Sequence, residues 1–172
     1  MLKRELHMRA KNYREIKGQP YTRKEYMKSS TPSKITKFTM GDPHGNYTHT
    51  ASLIAQEAAQ IRTNALEAAR VATNRVLMEK LGNNYLLQIK PYPHVVLREN
   101  KMIFGAHADR LQDGMSRAFG KPIGAAARVK PNQEIMKIKI PSEAVDIAKD
   151  ALKRGSIKLP ITCRIIIEKT PN

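Results

Sequence analysis

At 172 residues the chain has the length of one domain, enough for a single core with something left over for extensions. Lys and Arg number 31 against 15 Asp and Glu, a formal net charge of +16, which in so small a protein points to a polyanionic partner, nucleic acid foremost. Hydrophobic residues at 41% exclude a wholly disordered basic tail, and a single cysteine, Cys163, excludes an intramolecular disulfide and any Cys-rich zinc site.

The surplus charge is uneven. Residues 1–34 hold ten basic and three acidic side chains, and residues 101–131 hold six and two, whereas residues 35–81 are nearly balanced at five and four. The expected organisation is therefore a basic N-terminal arm, 1–34, and one α+β domain, 35–172, with a functional loop at 101–121. In the arm, Tyr13, Tyr21 and Tyr26 are interleaved with Arg14, Lys17, Arg23, Lys24 and Lys28, and Lys34 closes it. Cations neutralise phosphates and aromatic rings stack on unpaired bases, a mixture suited to RNA; an equally open reading has Tyr21 and Tyr26 anchoring the arm to the domain.

Residues 34–40 and 47–56 read as strands joined by the turn formers Gly41-Asp42-Pro43-His44-Gly45-Asn46. A helix follows, capped by Thr63 or Asn64 with Glu67 in its first turn. It has a small-residue stripe of Ala65, Ala69, Ala72 and Val76, leaves Arg62, Arg70 and Arg75 off that stripe, and ends at Gly82. Tyr85, Leu87 and Ile89 alternate as a third strand before Pro91-Tyr92-Pro93, and residues 94–98 form a short fourth. No period holds from 99 to 122, and a structureless stretch of that length is usually functional or disordered. Residues 125–130 and 134–140 read as a hairpin around Pro131-Asn132-Gln133, with Met136, Ile138 and Ile140 inward. Ser142 caps a second helix with the apolar face Ala144, Ile147, Ala148, Ala151 and Leu152, stopped by Gly155. Ile161, Cys163, Ile165 and Ile167 alternate as the last strand. Two helices packed on a mixed, largely antiparallel sheet make the expected α+β fold.

No catalytic constellation stands out. Gly114 to Lys121 resembles a phosphate-binding loop, but five residues separate Gly114 from Gly120 rather than four, and Pro122 occupies the place of the magnesium-binding hydroxyl. The five histidines show no metal-ligand spacing, and Cys163 lies on the apolar face of a strand. The charged N-terminus lacks a signal-peptide core, and no run approaches ~18 apolar residues. A reducing, cytoplasmic setting without a membrane is the expectation.

The runs Gly18-Gln19-Pro20-Tyr21-Thr22-Arg23-Lys24-Glu25-Tyr26, Gln60-Ile61-Arg62-Thr63-Asn64-Ala65-Leu66-Glu67-Ala68-Ala69-Arg70-Val71-Ala72 and Leu97-Arg98-Glu99-Asn100-Lys101-Met102 together resemble one family. So do Asp109-Arg110-Leu111-Gln112-Asp113-Gly114-Met115, Ala118-Phe119-Gly120-Lys121-Pro122, Ala126-Ala127-Arg128-Val129-Lys130-Pro131 and Lys158-Leu159-Pro160. It is the family of large-subunit ribosomal proteins called L-ten-e in archaea and eukaryotes, homologous to bacterial L-sixteen, and the likeness is to the archaeal form.

The resemblance implies an alpha/beta-hammerhead type of fold and a structural, non-enzymatic role on large-subunit ribosomal RNA (rRNA). It places the protein near the aminoacyl-tRNA site and the peptidyl transferase centre, beside the 5S rRNA, with loop 101–121 directed toward tRNA. The family's basic arm and loop carry over to Arg14, Lys17, Arg23, Lys24, Arg110, Arg117, Lys121, Arg128 and Lys130. With these, the candidate RNA-binding set comprises Tyr21, Tyr26, Lys28, Lys34, Arg62, Arg70 and Lys101. Other ribosomal proteins are expected partners, and no cofactor, metal, membrane or free homo-oligomer is. The first ten residues depart from the short Arg- and Pro-rich start expected of the family. A free-standing RNA-binding or assembly factor and an RNA-modifying enzyme are the competing classes.

Overall fold

A computed structural model of the chain describes residues 13–23, 25, 27, 33–101 and 114–169. Ten elements follow in order: β1 Thr39–Gly41, β2 His49–Ala55, β3 Ala59–Arg62, α1 Thr63–Leu81, β4 Leu86–Ile89, β5 Val95–Glu99, β6 Lys121–Val129, β7 Glu134–Ile140, α2 Val145–Ser156 and β8 Cys163–Lys169. The fold is α+β. The strands form two sheets rather than the expected one: a five-stranded sheet in the order β1-β4-β7-β2-β8 and a three-stranded sheet in the order β3-β6-β5, every pairing antiparallel.

The larger sheet and both helices enclose the main core. Alternation in β7 turns Met136, Ile138 and Ile140 inward as expected, and they are fully buried with Leu53 and Leu87 from the neighbouring strands and Leu66, Leu77 and Leu152 from the helices. A register shift between Leu53 and Ile54, opposite the start of β7, accompanies complete burial of Ile135 as well.

Residues expected to form a hairpin at Pro131-Asn132-Gln133 do not pair with each other. β6 has both edges taken by β3 and β5, and β7 has both taken by β4 and β2, so neither has a free ladder of N–H and C=O groups to offer. The turn crosses between the sheets, pinned to the end of β2: the Asn132 N–H donates to the Ala55 carbonyl (2.8 Å) and the Ala55 N–H to the Gln133 carbonyl (3.0 Å). β1 likewise pairs with β4 and not with β2, whose edges belong to β7 and β8.

The helices also differ from the sequence reading in detail. No side chain caps α1; β3 runs straight into it through Arg62, its first turn holds no acidic residue, and its buried face is Thr63, Leu66, Ala69, Thr73, Val76 and Leu77. Alanines are so frequent along α1 that a small-residue stripe can be drawn one position off, and the leucines decide which face goes inward. Gly82 does end it. Ser142 provides no cap for α2 but sits in a 3-10 turn, Ser142–Ala144, that leads into it. Gly155 does not stop α2. It lies buried within the last turn, where a Cβ would stand 2.2 Å from the Thr73 hydroxyl oxygen and 3.6 Å from the Ala69 carbonyl oxygen. An interior helical glycine costs about 1 kcal/mol relative to alanine; here it permits the close crossing of α1 and α2.

The small sheet has two unlike faces. Ile61, Ala127 and Val129 join the main core, while Leu97 and Ala126 form a separate cluster with Tyr13 from the N-terminal segment. That second face carries the candidate site.

Candidate nucleic-acid interface

Residues 13–23 lie across the β3-β6-β5 sheet, held largely by hydrogen bonds. Gln60, on β3 and only 8% exposed, is the hub. Its backbone N–H donates to the Arg14 carbonyl (2.8 Å), its side-chain amide donates to the carbonyls of Tyr13 (3.2 Å) and Glu15 (3.0 Å), and its amide oxygen accepts from Arg128 Nε (3.2 Å). Arg128, opposite Gln60 on β6, donates onward to the carbonyls of Gly18 (2.9 Å) and Lys17 (3.3 Å). Further along, the Val96 N–H donates to the Tyr21 carbonyl (2.9 Å), fastening the segment to β5. These bonds satisfy a length of chain that has no regular partner strand.

The aromatic part of this anchor is Tyr13, 7% exposed, with the Arg62 guanidinium 5.9 Å from its ring centroid. Burial pushes its phenol pKa up, and the Glu99 carboxylate beside it adds to the rise against the opposing charge of Arg62. Arg14 forms an ion pair with Glu57, which also accepts from the Thr162 hydroxyl (3.0 Å). The Thr162 bond first, then Arg14, holds the Glu57 carboxyl below its usual range.

At the other end of the small sheet the two roots of loop 101–121 meet. A Cβ on Gly120 would lie 2.6 Å from the Glu99 carbonyl carbon and 2.8 Å from the Asn100 nitrogen, so the residue has to be glycine for the strands to close. Asn100 Nδ2 donates to the Arg117 carbonyl (3.4 Å). The Arg98 guanidinium sits in the corner between two nearly perpendicular rings, 4.4 Å from the centroid of Tyr21 and 3.8 Å from that of Phe119. Tyr21 thus anchors the arm to the loop root. Gln60, Arg98 and Phe119 are the residues that sequence reasoning missed. Phe119 gave one signal, an aromatic outside any apolar period, whereas Gln60 sits on a strand too short to be recognised.

The predicted cations divide accordingly. Arg14, Lys17, Arg62 and Arg128 gather around Gln60 and Tyr13, and Arg23, Lys101, Arg117 and Lys121 lie beside the Tyr21-Arg98-Phe119 group, all four of these exposed. Lys34 and Lys130 are exposed elsewhere. Arg70 stands apart: on α1, it donates twice to the Glu67 carboxylate (2.6 and 2.8 Å) and once to Met40 Sδ (3.0 Å), its side chain 16% exposed. Lys24, Tyr26, Lys28 and Arg110 fall outside the described residues.

Among the described residues no cluster of His, Cys, Asp and Glu is placed to hold a metal ion, and no helix is long and apolar enough to cross a membrane. Burial, with a smaller contribution from Glu57, pushes the Cys163 thiol up to about 11, so it is protonated and a poor nucleophile at neutral pH. This face presents the exposed cations Arg23, Lys101, Arg117 and Lys121 beside the exposed ring of Phe119.

Residues 16–166 match the family model described as ribosomal protein L16p/L10e. The chain belongs to that family. The L16p/L10e match begins within the arm segment that crosses the small sheet and takes in both sheets and both helices. Curated relatives named "Large ribosomal subunit protein uL16" agree. The protein of Staphylothermus marinus is 52% identical over 92% of this chain and 92% of its own length. Those of Hyperthermus butylicus (52% identical, 86% of this chain and 83% of the relative) and Thermofilum pendens (48%, 91% and 94%) are similar throughout as well.

Proposed function

We propose that the chain is a structural constituent of the large ribosomal subunit, not an enzyme. It binds large-subunit rRNA through the arm-covered face of the small sheet and the root of loop 101–121. The observation that carries this reading is the exposure of Arg23, Lys101, Arg117 and Lys121 around the loop root, next to the segment that Arg14 and Arg128 help to hold, in a +16 chain of the L16p/L10e family. Phosphate contacts of this kind position a protein on RNA without reading base sequence. Residues 1–34 act as the RNA-binding arm of a domain spanning 35–172, with Lys24, Tyr26, Lys28, Lys34 and Lys130 extending the contact and Arg62 serving it from behind Tyr13. Arg110 would extend it from within the loop.

The finer placement rests on the family resemblance: near the aminoacyl-tRNA site and peptidyl transferase centre, in the 5S rRNA neighbourhood, among other ribosomal proteins, with loop 101–121 helping to position tRNA. Reconstitution into large subunits depleted of their own copy, followed by hydroxyl-radical footprinting, tests both levels. Retention through a high-salt wash with protection of large-subunit rRNA near the peptidyl transferase centre is the expected result. Release in salt would mark a loosely associated factor, and protection far from that centre would overturn the placement. Neutralising Arg110 and Arg117 together should leave incorporation largely intact while impairing tRNA binding and peptide-bond formation on the same particles, since small displacements of reacting ends cost large factors in rate.

A further inference from the structure

Phe119 is 71% exposed. Single exposed apolar residues are ordinary, but this one is held in place. One side of its ring is occupied by the Arg98 guanidinium at 3.8 Å, Tyr21 meets it nearly edge-on with centroids 6.1 Å apart, and the following residue, Gly120, is pressed against the Glu99 and Asn100 backbone. A ring already fixed by its neighbours loses little conformational freedom when something stacks on it. The cation on one face draws the ring's electron density toward itself, which suits the opposite face to an electron-rich partner. Around it, Arg23, Arg117 and Lys121 are exposed and cationic, the complement of a phosphate backbone and an unsuitable border for an apolar protein segment.

We propose that the outer face of Phe119 is a stacking site for an unpaired purine base of RNA. Arg98 and Tyr21 act as positioning residues that hold the ring, and the surrounding cations take the flanking phosphates. This rests on the RNA-binding reading above and goes beyond it, since it assigns a base contact to one ring, Phe119, outside the candidate set read from the sequence.

The chain has no tryptophan, so Phe119→Trp introduces a single indole at the site. The probes are an eight-nucleotide oligoadenylate and an abasic ribose-phosphate strand of equal length, each titrated into the full chain. The native protein should favour oligoadenylate over the abasic strand by about tenfold, as expected for one stacked base. Phe119→Leu should lose that preference while still binding the abasic strand with the same salt dependence, and indole emission from Phe119→Trp should be quenched by oligoadenylate alone. Equal affinity of the native protein for both strands, or an unchanged preference in Phe119→Leu, overturns the stacking site and leaves RNA binding standing. Failure of the native protein to bind either strand at low salt overturns both. If Phe119→Leu binds both strands as the native does, yet reconstituted subunits lose a neighbouring protein, the face belongs to a protein partner and the proposal fails.

Discussion

The main core and the arm-covered face of the small sheet are held together by different physics. The five-stranded sheet and its helices bury large aliphatic side chains such as Leu53, Leu87, Ile138 and Leu152 at or near zero exposure, and burial of that kind accounts for most of a domain's stability. Between the N-terminal segment and the outward face of the three-stranded sheet, the apolar cluster among the described residues is small, Tyr13 with Leu97 and Ala126. Its order depends instead on the hydrogen bonds of Gln60 and Arg128 and on the ring contacts of Arg98. The core is held by apolar burial; the arm-covered face is thinly held, and a polyanion that neutralises its cations would stabilise it further.

Truncation in the main core should show the difference most strongly. Leu77→Ala should cost about 2 to 5 kcal/mol in denaturant unfolding, because a cavity is left among close-packed neighbours, and arm and core should unfold together. Gly155→Ala should follow at about 1 to 3 kcal/mol, since its Cβ would overlap Thr73; pairing it with Thr73→Ala should recover part of the loss, and a full additive loss would refute the contact. Gln60→Ala should act locally. Limited proteolysis should accelerate within residues 13–23 while the unfolding free energy of the core falls by only about 1 to 2 kcal/mol; an arm still resistant to protease would show that Gln60 is not its hub.

The smallest effect concerns pH. Arg70, by hydrogen bonding foremost, holds the Glu67 carboxyl below its ordinary value of 4.5. A carboxyl depressed in the folded state contributes stability that is complete above that ordinary value and is lost as pH falls through the lower folded one. Because the pair is partly exposed, the contribution is about 0.5 kcal/mol. Glu67→Gln should therefore be slightly less stable than the native protein at pH 7 and indistinguishable from it in acid. A difference that grows on acidification would contradict the sign.

The contrast also explains how much was legible in the sequence. The inward residues of β7 could be read because large apolar residues recur there at one clear period, and the buried side of α2 because Ile147 and Leu152 mark the face that Ala148 and Ala151 share. The face of α1 is not legible to the residue, because alanine carries little hydrophobic signal and Ala65 and Ala72 are equivalent to Ala69 in the sequence, whereas the buried face follows Leu66 and Leu77. Strand partners were not legible at all, since the split of β6 from β7 depends on edges supplied by segments far away in sequence. For the site, the cations were visible as charge density, but only the fold shows that Arg70 is engaged by Glu67, or that Tyr21, Arg98 and Phe119, from three separate segments, meet in one corner.

The central claim, that RNA is bound by the arm and small-sheet face and not by the helical side, is tested most directly by the salt dependence of RNA affinity in two variants of equal charge. One replaces Lys17, Arg23, Arg117 and Lys121 by Ala, and the other replaces Lys149, Lys153, Lys158 and Lys169. Each phosphate contact contributes about 0.7 to 0.9 to the slope of log affinity against log salt. The first variant should therefore flatten the slope by about 3 and the second should leave it nearly unchanged. Equal flattening in both, or a larger change in the second, would contradict the account.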